Sequence, residues 1–117
     1  MNTISEILVA LLALEHFGIM YIEMFLWAKP FGLKTFGQTQ AQAEASKVLA
    51  ANQGLYNGFL GAGLMASLIA NLSGGQVFFS TCVLFAGIYG GLTAKRSILY
   101  TQALPGLLTL AAVLLAR

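Results

Sequence analysis

The sequence predicts an all-α, integral membrane four-transmembrane-helix bundle, a single transmembrane domain over residues 1–117. Three observations lead there. Residues of the AVILMFWYC set make up 58% of the 117 residues and charged residues only 9%, against roughly 25% charged in soluble domains. Four apolar runs, at 4–28, 49–72, 76–95 and 98–116, each approach the ~20 residues that cross a hydrocarbon core. None of them alternates apolar and polar residues as a barrel strand does, and a backbone in lipid must satisfy its own hydrogen bonds, which leaves helices.

The first run opens the chain without a basic segment ahead of it or a clear small-residue cleavage pattern behind it. It therefore reads as a membrane helix and not as a signal peptide. Lys29-Pro30 ends it, because proline disfavours helical geometry in the residue before it. The connection that follows is the long one. Its front part, Pro30 to Gly37, holds turn-forming glycines and two aromatics suited to the membrane interface. Its back part, Gln38 to Lys47, is rich in Ala, Gln and Glu, good helix formers. The second helix is thus expected to begin near Thr39 or Gln40, at about residue 40, and to run to 72. Asn71-Leu-Ser-Gly-Gly75 is a turn signature, and Lys95-Arg96-Ser97 is a short charged link, giving helices at about 76–95 and 98–116.

Charge sets the expected orientation. Lys29, Lys34 and Lys47 flank the first connection, Lys95 and Arg96 lie in the third, the second has no charge, and Arg117 alone falls on the other side. Basic residues mark the cytoplasmic side. The expectation is a multi-pass protein of the cell (inner) membrane with both termini on the non-cytoplasmic side. The net charge of +2 gives no basis for a nucleic-acid partner. The single cysteine, Cys82, excludes an internal disulfide and a multi-cysteine metal site, and in its apolar run it reads as packing.

Polar groups inside a membrane helix are costly, so each needs a reason. In the first helix Glu15 and His16 fall near the middle and Glu23 about two turns nearer the cytoplasm, with Glu6 at the outer end. His16, Met20, Glu23 and Trp27 share one stripe, and Glu15 lies about 80° round from Glu23, at its edge. The second helix carries Asn52, Gln53, Tyr56 and Asn57 at spacings that share a face. Counted at ~1.5 Å per residue, Glu23, Gln53 and Gln102 each stand about 9 Å in from Lys29, Lys47 and Arg96. Three helices would then bring polar groups to one level, a binding pocket open to the cytoplasm with an acidic floor. The competing reading is interhelical bonding alone, at perhaps 0.6–2 kcal/mol per bond; it serves the amides better than the carboxyls, which need a partner or a proton.

His16 is the only histidine, too little for a metal site. No phosphate-binding glycine loop, cofactor motif or lipidation signal is present. Gly54, Gly58 and Ala62 form one row of small residues with Gly61 beside it, and Gly87, Gly91 and Ala94, with Ala86 and Gly90, form others. Such rows let helices approach closely, within one chain first, with a homo-oligomer as the alternative. Pro105-Gly106 is expected to free a carbonyl near Thr101 and kink the fourth helix.

The stretches Glu15-His-Phe-Gly-Ile-Met-Tyr-Ile-Glu-Met-Phe-Leu-Trp27, Lys47-Val-Leu-Ala-Ala-Asn-Gln-Gly-Leu-Tyr-Asn-Gly-Phe59 and Gln102-Ala-Leu-Pro-Gly106 resemble the DUF1304 family of small membrane proteins. The resemblance covers nearly the whole chain. It implies four membrane helices and brings no established activity. A weaker likeness, in topology, is to the four-helix glutathione-dependent enzymes of the MAPEG type, but the second helix lacks the arginines those enzymes use to hold glutathione. Three functions remain: small-molecule binding or proton-coupled transport through Glu15 and Glu23; a membrane enzyme acting on a lipophilic substrate with Tyr56, His16 or Glu23 as acid or base; and a scaffold.

Overall fold

The computed structural model describes residues 2–117, and the described residues are all-α. Helix α1 spans Thr3–Tyr21 and runs on through a π-helical turn, Ile22–Leu26. Its start is fixed by a reciprocal cap: the Ser5 amide donates to Asn2 Oδ1 at 2.9 Å, and the Asn2 amide donates to Ser5 Oγ at 3.2 Å. The front of the long connection, expected to be turns, is instead a short helix, α2, over Pro30–Phe36. Pro30 at its first position supplies the right φ and lacks only an amide that would have no helical partner. Gly37 closes it in the left-handed region at φ 63°, a conformation that favours glycine.

Helix α3 spans Gln40–Ile69 and starts where the sequence indicates. Thr39 Oγ1 accepts from the Gln42 amide at 3.1 Å while Gln42 Oε1 accepts from the Thr39 amide at 3.0 Å. Helix α4 spans Ser73–Thr93, entered through Asn71 at φ 57°. The last run does not form one regular helix. A π-helical stretch, Leu99–Ala103, precedes α5, Leu104–Leu115. Proline cannot donate to the carbonyl one turn back, and the widened turn just ahead of Pro105 is how the chain absorbs that loss.

Helix α1 packs on α3 and α5, and α4 packs on the same two, so α1 and α4 occupy opposite corners of a four-cornered bundle. The bundle is 47 Å in its long dimension, more than the ~30 Å of a hydrocarbon core. Two helices, Thr3–Leu26 and Ser73–Thr93, are long and apolar enough to cross a membrane. The α5 segment from Leu99 is shorter, and the first half of α3 is too polar by composition.

Glycines set the helix contacts. A Cβ on Gly61 would fall 3.1 Å from the Ala13 carbonyl oxygen, and one on Gly87 would meet the backbone of Ala103. The glycines of the rows read from the sequence are used inside the chain, where Gly54, Gly58 and Gly61 seat α3 on α1 and Gly87 and Gly91 seat the Leu99–Ala103 turn on α4, while the alanines of those rows, Ala62, Ala86 and Ala94, are exposed. Around these seams Val9, Leu12, Ala13, Leu64, Val83 and Val113 make the apolar core.

Candidate binding site

The stripe predicted on the first helix is its inward face. His16 and Glu23 are buried, Met20 and Trp27 half-buried, and Glu15 sits at the margin with a one-third exposed side chain. The π-helical turn carries Glu23 inward, where it is 8% exposed. There Asn57 Nδ2 donates to Glu23 Oε1 at 2.6 Å, and the same amide donates to the Gln53 carbonyl at 3.3 Å. Gly54, one turn before Asn57, makes this crossing close enough: a Cβ there would lie 3.0 Å from Glu23 Cβ. A carboxyl taken out of water is expensive unless it is hydrogen-bonded, and Asn57 supplies that bond.

The rest of the expected polar layer does not converge on Glu23. The inward direction of α3 is set by Gly54, Asn57, Gly58 and Gly61. Gln53 lies roughly 90° from it, and Tyr56 and Asn52 are nearly opposite. All three are exposed; Asn52 Nδ2 donates back to the Val48 carbonyl at 3.3 Å, and Tyr56 stacks edge-on with Phe59. Small residues decide which face packs, because they allow the backbones to approach, and the amides on the neighbouring arc are left outside. Gln102 is half-buried on the second π-helical stretch; its neighbour Ala103 takes the inward place against Gly87.

The seam beside Glu23 and Asn57 is filled by side chains. The space is closed by methionines: Met24 lies over Gly54 and Met20 over Gly58. Two cavities lie to either side. One, of about 270 Å³, is at the basic end and includes Met24, Trp27, Lys29, Gln40, Glu44 and Lys47 in its lining. Trp27 is a clamp beside it: its Nε1–H donates to Ser46 Oγ at 3.1 Å, and its ring packs 5.0 Å from that of Phe36, tying α1 to α2 and α3. The other, of about 210 Å³, is a groove between α1 and α5 with Glu15 in its lining. Glu15 Oε1 is buried and has no hydrogen-bond partner among the described residues. His16 Nδ1 is 3.8 Å from it but bonds the Leu12 carbonyl at 2.9 Å. A carbonyl only accepts, so Nδ1 carries the proton and donates there.

A second set of buried polar groups escaped the sequence reading: Ser5, Ser67, Gln76, Ser80 and Thr109, each at most 5% exposed. Gly61 over Ala13, Gly63 over Phe79 and Gly106 over Val83 and Leu84 fix the relative heights of the helices. By that register His16, Ser80 and Thr109 come within about one helical turn of a common level. Gln76 Nε2 donates to the Ser67 carbonyl at 3.2 Å, while Gln76 Oε1 and Ser80 Oγ have no partner among the described residues. The signal was legible: Gln76, Ser80, Val83 and Gly87 follow the same i, i+4, i+7, i+11 stripe that revealed His16 and Glu23.

Residues 10–114 match the family model described as "Protein of unknown function (DUF1304)". That span includes Glu15, His16, Glu23, Asn57 and Gln102. The chain is also similar to the "Uncharacterized protein YpaA" of Lactococcus lactis subsp. lactis (strain IL1403), at 32% identity over 106 residues covering 87% of this chain and 89% of the relative. No solved structure matches. With a family model covering most of its length and a relative matched nearly end to end, the chain belongs to the DUF1304 family.

Proposed function

We propose that this chain is a four-span membrane protein that binds a small molecule and couples that binding to proton transfer at its intramembrane carboxyls. The observation that carries the reading is Glu23, buried in the bundle and bonded by Asn57 across α1 and α3, with Glu15 two turns away retaining a free buried oxygen. Ionisable groups inside a membrane bundle are costly, and they mark substrate pathways and proton relays. One carboxyl that is held and one that is free on a single helix is a suitable arrangement for a group that binds and a group that exchanges.

The orientation belongs to the same proposal. The Lys95 ammonium reaches the end of α2 at Gly37, so the basic residues of the two charged connections gather at one end. That supports a cytoplasmic assignment for this end and non-cytoplasmic termini. The enzyme reading gains no such support, because Tyr56 is turned away from Glu23 and His16.

Reconstitution into proteoliposomes under a pH gradient tests the proposal. Solute-dependent proton movement is expected from the wild type and is expected to fall at least ten-fold in Glu15→Gln and Glu23→Gln. A broad panel of solutes giving no proton movement, or variants as active as the wild type, would refute it.

A further inference from the structure

We propose that the groove between α1 and α5 at Glu15 is a binding site for a lipophilic cation, an ammonium group on an apolar body, entered sideways from the lipid. The proposal deepens the functional reading above and rests on it.

Leu8, Leu11, Leu108 and Pro105 make the walls apolar, and Leu11 and Leu108 are 55% and 52% exposed at the outer face. A ligand can therefore enter from the side without passing through the basic end. The volume of about 210 Å³ is several times the ~30 Å³ share of one water molecule. That gives room for a small ammonium headgroup and its first methylenes, with the rest of the tail left in lipid.

Within this groove the acidic group is Glu15, whose side chain is one-third exposed while its Oε1 is enclosed without a partner among the described residues, so a ligand meets the accessible part of the carboxyl. His16 Nδ1, 3.8 Å away, does not answer it, since its N–H is already given to the Leu12 carbonyl. Neither Thr3–Leu26 nor Leu104–Leu115 contains a lysine or arginine. The two helices of the groove thus build a carboxyl into an apolar wall and supply no lysine or arginine to pair with it. An isolated charge in such surroundings is strongly disfavoured, and a cation with an apolar body satisfies both the carboxyl and the leucines. Thr109, 2% exposed in the same lining, adds a hydroxyl as a further polar contact. An anionic amphiphile would meet repulsion from Glu15, and a neutral one, even bonded to the carboxyl through a hydroxyl, would not balance its charge.

The test is photolabelling in phosphatidylcholine nanodiscs with a dodecylamine carrying a diazirine beside its nitrogen. Adducts are mapped by mass spectrometry, and wild type, Glu15→Gln and Leu108→Trp are compared at matched thermal stability. Labelling is expected on the segments around Glu15 and Thr109, with competition by dodecyltrimethylammonium and not by dodecanol. It should fall at least five-fold in Glu15→Gln, and likewise in Leu108→Trp, which fills the groove from its lipid side and leaves the carboxyl intact. Equal competition by dodecanol, or undiminished labelling in Glu15→Gln, would overturn the cation site. Absent labelling with intact proton-coupled uptake overturns the groove alone; loss of both overturns the functional reading beneath it.

Discussion

Glu23 and Glu15 lie on one helix, about 12 Å apart along its axis, in opposite circumstances. Glu23 faces a seam that glycines have closed: Gly54 admits α3, Asn57 donates at 2.6 Å, and methionines fill what remains. Glu15 faces a seam that leucines and a proline hold ajar, and one of its oxygens is left without a donor. The same residue type therefore does two jobs, decided by the size of the residues on the facing helix. Where the neighbour is glycine the carboxyl becomes part of the core; where it is leucine and proline the carboxyl lines a groove.

The most severe way to break this contrast is to open a closed seam. Gly87→Leu places a side chain against the backbone of Ala103, which cannot move aside as a flexible side chain could. A loss of about 3 kcal/mol or more is expected, at or beyond the usual range for overpacking, read as a large fall in the thermal midpoint in detergent or as failure to assemble. A Gly87→Leu protein as stable as the wild type would mean that α4 and the Leu99–Ala103 turn do not pack this closely.

A smaller effect is expected from removing the donor of the held carboxyl. Asn57→Leu should cost about 1–2 kcal/mol, since it leaves Glu23 buried without its bond. Glu23→Leu in the same background should recover part of that loss, because an apolar pair leaves nothing unsatisfied. Non-additivity near 1 kcal/mol in the double-mutant cycle is the expected result. Additive effects would mean that the two side chains are not coupled.

The seams, more than the polar residues, decided how much of this was legible in advance. The stripe of His16, Met20, Glu23 and Trp27, the cap at Thr39 and the close-packing glycines follow from spacing and local chemistry, and all appear where spacing puts them. The polar layer of Asn52, Gln53, Tyr56 and Gln102 does not converge, because depth along a helix is only half of a position. The angle about its axis is set by whichever face packs, and on α3 that face is glycine. Ser80 and Thr109 were missed for a related reason: hydroxyls in an apolar run attract less notice than amides and acids, although their spacing placed them inward. The π-helical turns were partly signalled. Pro105, just past the second, marks it, while the first, which carries Glu23, is followed by Pro30 only after a further three residues.

The smallest expected effects sharpen the contrast best, because they separate stability from binding. Ser80 Oγ is buried and has no partner among the described residues, so Ser80→Ala removes an unsatisfied group and should be neutral or stabilise by up to about 1 kcal/mol. Glu15 is one-third exposed and makes no hydrogen bond through Oε1, so Glu15→Gln should change stability by less than about 0.5 kcal/mol, in the range of a residue outside the packed core. Glu23→Gln keeps an acceptor for Asn57 but brings an amide N–H2 that needs a partner of its own in the closed seam, and should cost more than Glu15→Gln. Measured together by thermal unfolding in one detergent, the three should rank Ser80→Ala, Glu15→Gln, Glu23→Gln from most to least stable. A Glu15→Gln protein that unfolds as early as Glu23→Gln would show that the first carboxyl, too, belongs to the core.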